Sequence, residues 1–194
     1  MSADQIPQLE ELDVSTIQVV NGKKGKVFIQ DTEGNPIRFK IGSRAQPVVC
    51  DAGLMKPQGK VTEYSRRTYE VPSTTQMSIK IKQITETIEN NPRTPIWARN
   101  DLHAPMSKTG EIRLKIGQDA GVTVFQNDQE VGEGTLADVS CNTSLAQIVE
   151  ISDLWNFVKE DGLAMAGFSF VTKDLMCDVT NATQAPPPMK RAKW

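Results

Sequence analysis

At 194 residues, with 38% hydrophobic and 24% charged side chains, the chain is long enough to bury a core and too apolar to be a disordered polymer. No apolar run approaches the roughly 18 residues that span a bilayer, and the opening Met1–Asp13 is acidic and polar, unlike a secretory leader, so an intracellular, non-secreted protein is expected. The net charge of −2 conceals a split: 22–115 carries 17 Lys and Arg against 9 Asp and Glu, while 116–180 carries 2 against 11.

In chain order, residues 1–13 form an acidic arm, and 14–180 are expected to make one β-rich domain. Thr16–Val20, Lys26–Gln30 and Pro36–Ile41 are short β-rich runs, punctuated by Asn21-Gly22 and Gly34-Asn35-Pro36, and they predict an antiparallel meander. Gln46–Asp51 adds a possible fourth strand. In Met77–Lys82 every second residue is apolar, which predicts a strand with Lys80 and Lys82 on its solvent face; Ile81–Asn90 continues that strand or forms one short helix. Arg93–Lys108 has loop composition and holds Trp97 and His103.

Glu111–Ile116 alternates strictly, placing Ile112, Leu114 and Ile116 on one face and Arg113 and Lys115 outward. Val122–Gln126, Ser144–Ile151, Leu154–Val158 and Met165–Thr172 are further strands, with Trp155, Phe157, Phe168 and Phe170 expected to share a core. Glu160-Asp161-Gly162 reads as the turn after the Leu154–Val158 strand. Residues 181–194 form an extended tail, Pro-rich and ending in the basic Lys190-Arg191-Ala192-Lys193-Trp194.

The chemistry-bearing residues are sparse. Cys50, Cys141 and Cys177 are odd in number and widely spaced, so they read as buried hydrophobes and suggest neither disulfides nor zinc. The single histidine, His103, reads as a polar loop residue, and no phosphate-binding, dinucleotide-binding, metalloprotease or nucleophile-elbow motif occurs. The acidic run Asp119–Asp138 has no calcium-loop spacing and reads as a solvated face. No catalytic centre, metal or cofactor is expected.

What remains is cations interleaved with rings. Tyr64, Arg66, Arg67 and Tyr69 lie together, Trp97 stands near Arg99, and Lys23, Lys24, Lys26, Arg38, Lys40, Lys80, Lys82 and Arg113 complete the basic segment. Lys and Arg meet phosphates, and aromatic faces stack unpaired bases at about 1–3 kcal/mol each, so this set forms the candidate nucleic-acid surface. Two plainer readings stand beside it: the tyrosines are packing residues, and the basic and acidic segments neutralise each other across the fold.

Leu9–Ile17 leading into the first strand, a Pro-bearing loop entering Gly110–Ile116, and a β-rich end with Ile148–Ile151, Leu154–Val158 and Gly162-Leu163 make a familiar order. It resembles the OB-fold single-stranded DNA-binding proteins of large DNA viruses, especially those of algae and protists, which are related to those of some short-tailed phages. The resemblance spans roughly 9–180. It implies a mainly β, OB-like antiparallel barrel with inserted strands and loops. It also implies sequence-independent binding of single-stranded DNA in viral replication, recombination or repair, within the host nucleus or cytoplasm. Replication proteins, capsid proteins and a second copy of the chain are further expected partners. The phage members end in an acidic tail, whereas this chain ends in a basic one, which places any regulation by a terminal acidic segment in doubt. The alternative function is a structural or assembly protein of a virus particle, since a β-rich fold with long loops and an extended tail suits interlocking contacts.

Overall fold

The computed structural model describes residues 6–50, 53–54, 68–134, 139 and 143–180. The chain is mainly β, as its alternation of apolar and polar residues requires. Its thirteen described strands are β1 (Gln18–Asn21), β2 (Val27–Gln30), β3 (Arg38–Ile41), β4 (Val48–Val49), β5 (Gly53–Leu54), β6 (Thr68–Val71), β7 (Leu102–His103), β8 (Ile112–Gln126), β9 (Gln129–Glu133), β10 (Ser144–Ile151), β11 (Trp155–Val158), β12 (Ala164–Gly167) and β13 (Phe170–Asp178). They make an eight-stranded sheet of order β3-β10-β13-β8-β6-β5, with β4 added to β10 and β9 to β8. A β1-β2 hairpin and a three-stranded sheet β11-β12-β7 accompany it. Most ladders are antiparallel; β8 with β13 and β7 with β12 are parallel.

Each hairpin follows from local chemistry. Asn127 and Asp128 both adopt positive φ, the conformation a two-residue turn needs, and they fold β8 back onto β9. Gly162, at φ +82°, closes the turn between β11 and β12.

The stretch Met77–Lys82 is not a strand. It lies in the helix α1 (Thr75–Glu89), whose buried residues Met77, Ile81, Ile84 and Ile88 recur at helical spacing. Thr74 caps it by accepting a hydrogen bond from the Met77 amide at 3.1 Å. Alternation over six residues satisfied a period of two locally, but Ile79 is left exposed, and the longer period decides. Met165–Thr172 likewise divides into two strands, because Phe168 and Ser169 turn the chain from the small sheet into the large one.

One apolar cluster joins the inner face of the large sheet to α1 and the N-terminal turns. Phe39 and Phe170 meet edge to face at 4.9 Å, and each ring's complete burial stabilises the fold by about 1.5–3 kcal/mol. Cys50 and Cys177 are buried as small hydrophobes; Cys141 and the tail 181–194 lie outside the described residues. Among the described residues no helix is long and apolar enough to cross a membrane, and no cluster of His, Cys, Asp and Glu could hold a metal ion.

Candidate nucleic-acid interface

The outer face of the large sheet is set by the same alternation that builds its core. Ile112, Leu114 and Ile116 point inward from β8, so Arg113 and Lys115 point outward. Register carries one outward row across four strands: Arg38 opposite Glu150, Glu150 opposite Val171, and Val171 beside Lys115.

The β11-β12 hairpin raises a wall along this face. Trp155 and Phe157 alternate with Asn156, so both rings project from one side of β11, with centroids 5.7 Å apart and planes 26° from parallel. His103, on β7, stacks behind Trp155 at 6.5 Å and 10°. The Trp155 ring lies over Gly167, its partner across the ladder, and a Cβ there would collide with the indole and with the His103 carbonyl oxygen. The indole nitrogen donates to Ser169 Oγ at 3.3 Å, which fixes the ring's azimuth. Phe157 remains 49% exposed and Trp155 half-buried. The expectation that both belong to the core is therefore corrected, whereas Phe168 and Phe170 are sealed within it. The hairpin's sheet has only three strands, and nothing among the described residues covers this side of it.

Between wall and sheet runs an open trough of about 440 Å³, bounded by Lys115, Val171, Ser152 and Ser169 on the floor and by Trp155, Asn156 and Phe157 on the side. Through Ser152 and Val171 it continues into a second depression of about 320 Å³ beside Phe28 and Pro36 of the first hairpin region. Phe28 is also settled against a glycine, Gly22, where a Cβ would strike its ring. At this end partial enclosure raises the Asp153 carboxyl pKa above the usual aspartate range, with Lys26 opposing the shift. The trough thus runs from an acidic end to a ring-lined, basic one.

The candidate residues are distributed unevenly about this face. Arg38, Lys40 and Arg113 are on it, and Lys26 stands at its acidic end. Arg38 pairs with Glu150 at 3.0 Å, and Arg113 holds Glu70 through two nitrogens, the nearer at 3.0 Å. The Arg38–Glu150 pair joins the basic segment to the acidic one, so part of the charge split is neutralised internally. Lys173 pairs with Asp119 at 3.0 Å and holds that carboxyl below the usual aspartate range. Lys23 and Lys24 are exposed on the turn between β1 and β2.

Other candidates lie elsewhere. Lys80 and Lys82 ride on α1, where Lys80 Nζ donates to the Leu12 carbonyl at 2.7 Å and Lys82 pairs with Glu86 one turn on. Trp97 is 39% exposed on a short helical turn, away from the trough lining, and Arg99 ties its own loop together by donating to the Thr94 and Pro92 carbonyls. Tyr69 is wholly buried, with its hydroxyl bonded to Gln147 and Thr172, and burial pushes that hydroxyl's pKa well up. Its ring packs the core and cannot meet a surface ligand. Tyr64, Arg66 and Arg67 lie outside the described residues.

Trp155, Phe157 and Lys115 line the trough and His103 backs it, and none of them stands in the ring-and-cation clusters of the basic segment. A signal for the first two was present: a Trp and a Phe two apart, each neighboured by a polar or exposed residue, beside a strand partner ending in Gly.

No family model matches this chain, and no curated protein does. Among solved structures it is similar to the single-stranded DNA-binding protein from bacteriophage Enc34, at 15% identity and a TM-score of 0.39 over 91% of this chain and 96% of that one. A C-terminal truncation of the same phage protein gives 14% identity and a TM-score of 0.40 over 87% and 98%. Likeness at this level is too slight to assign residues, so the interface stands on its own geometry.

Proposed function

We propose that this chain binds single-stranded DNA without reading its sequence, as a non-enzymatic protein of viral DNA replication, recombination or repair. The observation that carries the reading is the Trp155–Phe157 ring pair, which lines an open trough together with Lys115. Unpaired bases present free π-faces to such rings, and phosphates meet the ammonium group alongside. In a duplex those base faces are already stacked, so the trough favours single strands. Stacking and phosphate contact do not distinguish among bases, which accounts for the lack of sequence preference in this reading.

The test is a fluorescence titration of the whole chain with a single-stranded oligonucleotide of about 30 nucleotides, longer than the ~4–16 that one OB-type site covers, at two salt concentrations. Expected are quenching that is lost in Trp155→Ala, weaker binding of the corresponding duplex, and an affinity that falls with salt by a slope of about −0.7 per phosphate neutralised. Absence of binding to the single strand at low salt would sink the proposal.

A further inference from the structure

The exposed face that forms the floor of the trough does not end there. Along β10, Leu145, Gln147, Val149 and Ile151 face the core, and alternation puts Ser144, Ala146, Ile148 and Glu150 on the opposite face, where Ala146 is itself covered. That face therefore runs from Ser152, at the ring pair, back to Ser144. At its far end the Arg44 guanidinium lies 4.5 Å from the centre of the Phe125 ring. Phe125 is in register with Asp178, and Met176 with Ala146, and both partners border the same small pocket as Arg44 and Phe125.

This second cation and ring are fixed in place. Arg44 Nη2 donates to the Asp128 carbonyl oxygen at 3.1 Å, which uses one of the five guanidinium donors and orients the group over the ring. Guanidinium planes and aromatic faces both stack unpaired bases. Asp178 sits beside them with its carboxyl held below the usual range by hydrogen bonds from Thr180. Its negative charge repels a phosphate, so the place suits a base. Between the two ends, Lys40 lies opposite Ile148 on the side where the backbone of a strand lying along β10 would run, while Arg38 is held by Glu150 and Asp174 stands on the far side of Ile148.

We infer that Arg44 and Phe125 form a second base-stacking station on the strand-binding face proposed above, on which this inference rests. The eight steps from Ser144 to Ser152 cover about 27 Å at ~3.4 Å per residue. A single strand stacked at ~3.4 Å per nucleotide crosses that distance in about eight nucleotides. Short strands reach one station and longer strands reach both.

The experiment titrates the full chain, as wild type and as Arg44→Ala, Phe125→Leu and Trp155→Ala, with oligothymidylates of about 4 and about 12 nucleotides, chosen to fall either side of that span. Arg44 is exposed, so its variant leaves the core intact and guards against a folding artefact at Phe125. The longer strand is followed by electrophoretic retardation, and the shorter by Trp155 quenching, which reads the trough alone. Expected is a loss of about 5-fold or more for the longer strand in both the Arg44 and Phe125 variants, the lower end of one base stack. Quenching by the shorter strand stays within about twofold of wild type. Two results overturn the second station while leaving the trough reading intact: an unchanged affinity for the longer strand in both variants when Trp155→Ala weakens it, or an equal loss for both lengths. A wild-type chain that binds neither strand overturns the trough reading as well.

Discussion

Phe168 and Phe170 sit fully enclosed, while Trp155 and Phe157, a little earlier on β11, reach the surface, Phe157 about half exposed and Trp155 half-buried between His103 and Phe157. The two sets share residue chemistry and similar apolar neighbours in sequence. What separates them is coverage: the large sheet has α1 and the N-terminal turns packed on one side, and among the described residues no such layer lies over the side of the three-stranded sheet that bears Trp155 and Phe157. Aromatic residues at the candidate surface are therefore not weaker core residues. They are rings that the architecture stops short of covering, and here Gly167 and Ser169 hold one of them in a defined plane.

Substitutions can break this contrast or sharpen it. The largest expected effect is Phe170→Ala, which leaves a cavity against Phe39 and should lower the unfolding free energy by about 3–5 kcal/mol in denaturant titration, with DNA affinity per folded molecule unchanged. Next comes Trp155→Ala, expected to weaken single-strand binding by about 1–3 kcal/mol in a retardation assay, with a smaller change in unfolding midpoint. Similar stability losses in both would erase the distinction. Tyr69→Phe strips the hydroxyl that Gln147 and Thr172 share inside the core. It should cost about 1–3 kcal/mol of stability, seen as a lower denaturation midpoint at unchanged affinity. Gly167→Ala sharpens the comparison most cleanly, because a Cβ there displaces the Trp155 ring; binding should weaken several-fold, with overpacking costing about 1–3 kcal/mol on thermal melting. The smallest effect belongs to Lys115→Gln, which should reduce the salt slope by about 0.7 while leaving ring quenching in place.

The strands that carry the interface were plain in the sequence wherever one face is buried and the other wet. Pro36–Ile41 and the start of β8 show this, since strict alternation over about six residues admits one register and hence one set of outward residues, Arg113 and Lys115 among them. The helix was obscured because Met77, Ile79 and Ile81 fit a period of two, and the Thr74 cap with Ile84 and Ile88 beyond was needed to show the longer period. The site was less legible than the fold. The cluster from Tyr64 to Tyr69 looked like rings among cations, but Tyr69 is a core residue, and composition cannot tell a ring that stacks from a ring that packs.

The amino-acid sequence by itself determined the mainly β class, the outward direction of the basic side chains on β3 and β8, and the turns at Gly34 and Gly162, because these depend on residues a few positions apart. Only the tertiary structure decided that β8 and β13 lie side by side in parallel, that Glu150 and Glu70 neutralise two of the expected arginines, and that Trp155 and Phe157 stay uncovered beside Lys115. Those outcomes depend on which distant segments meet, and on where a layer ends, and neither is encoded in the periodicity of any single stretch.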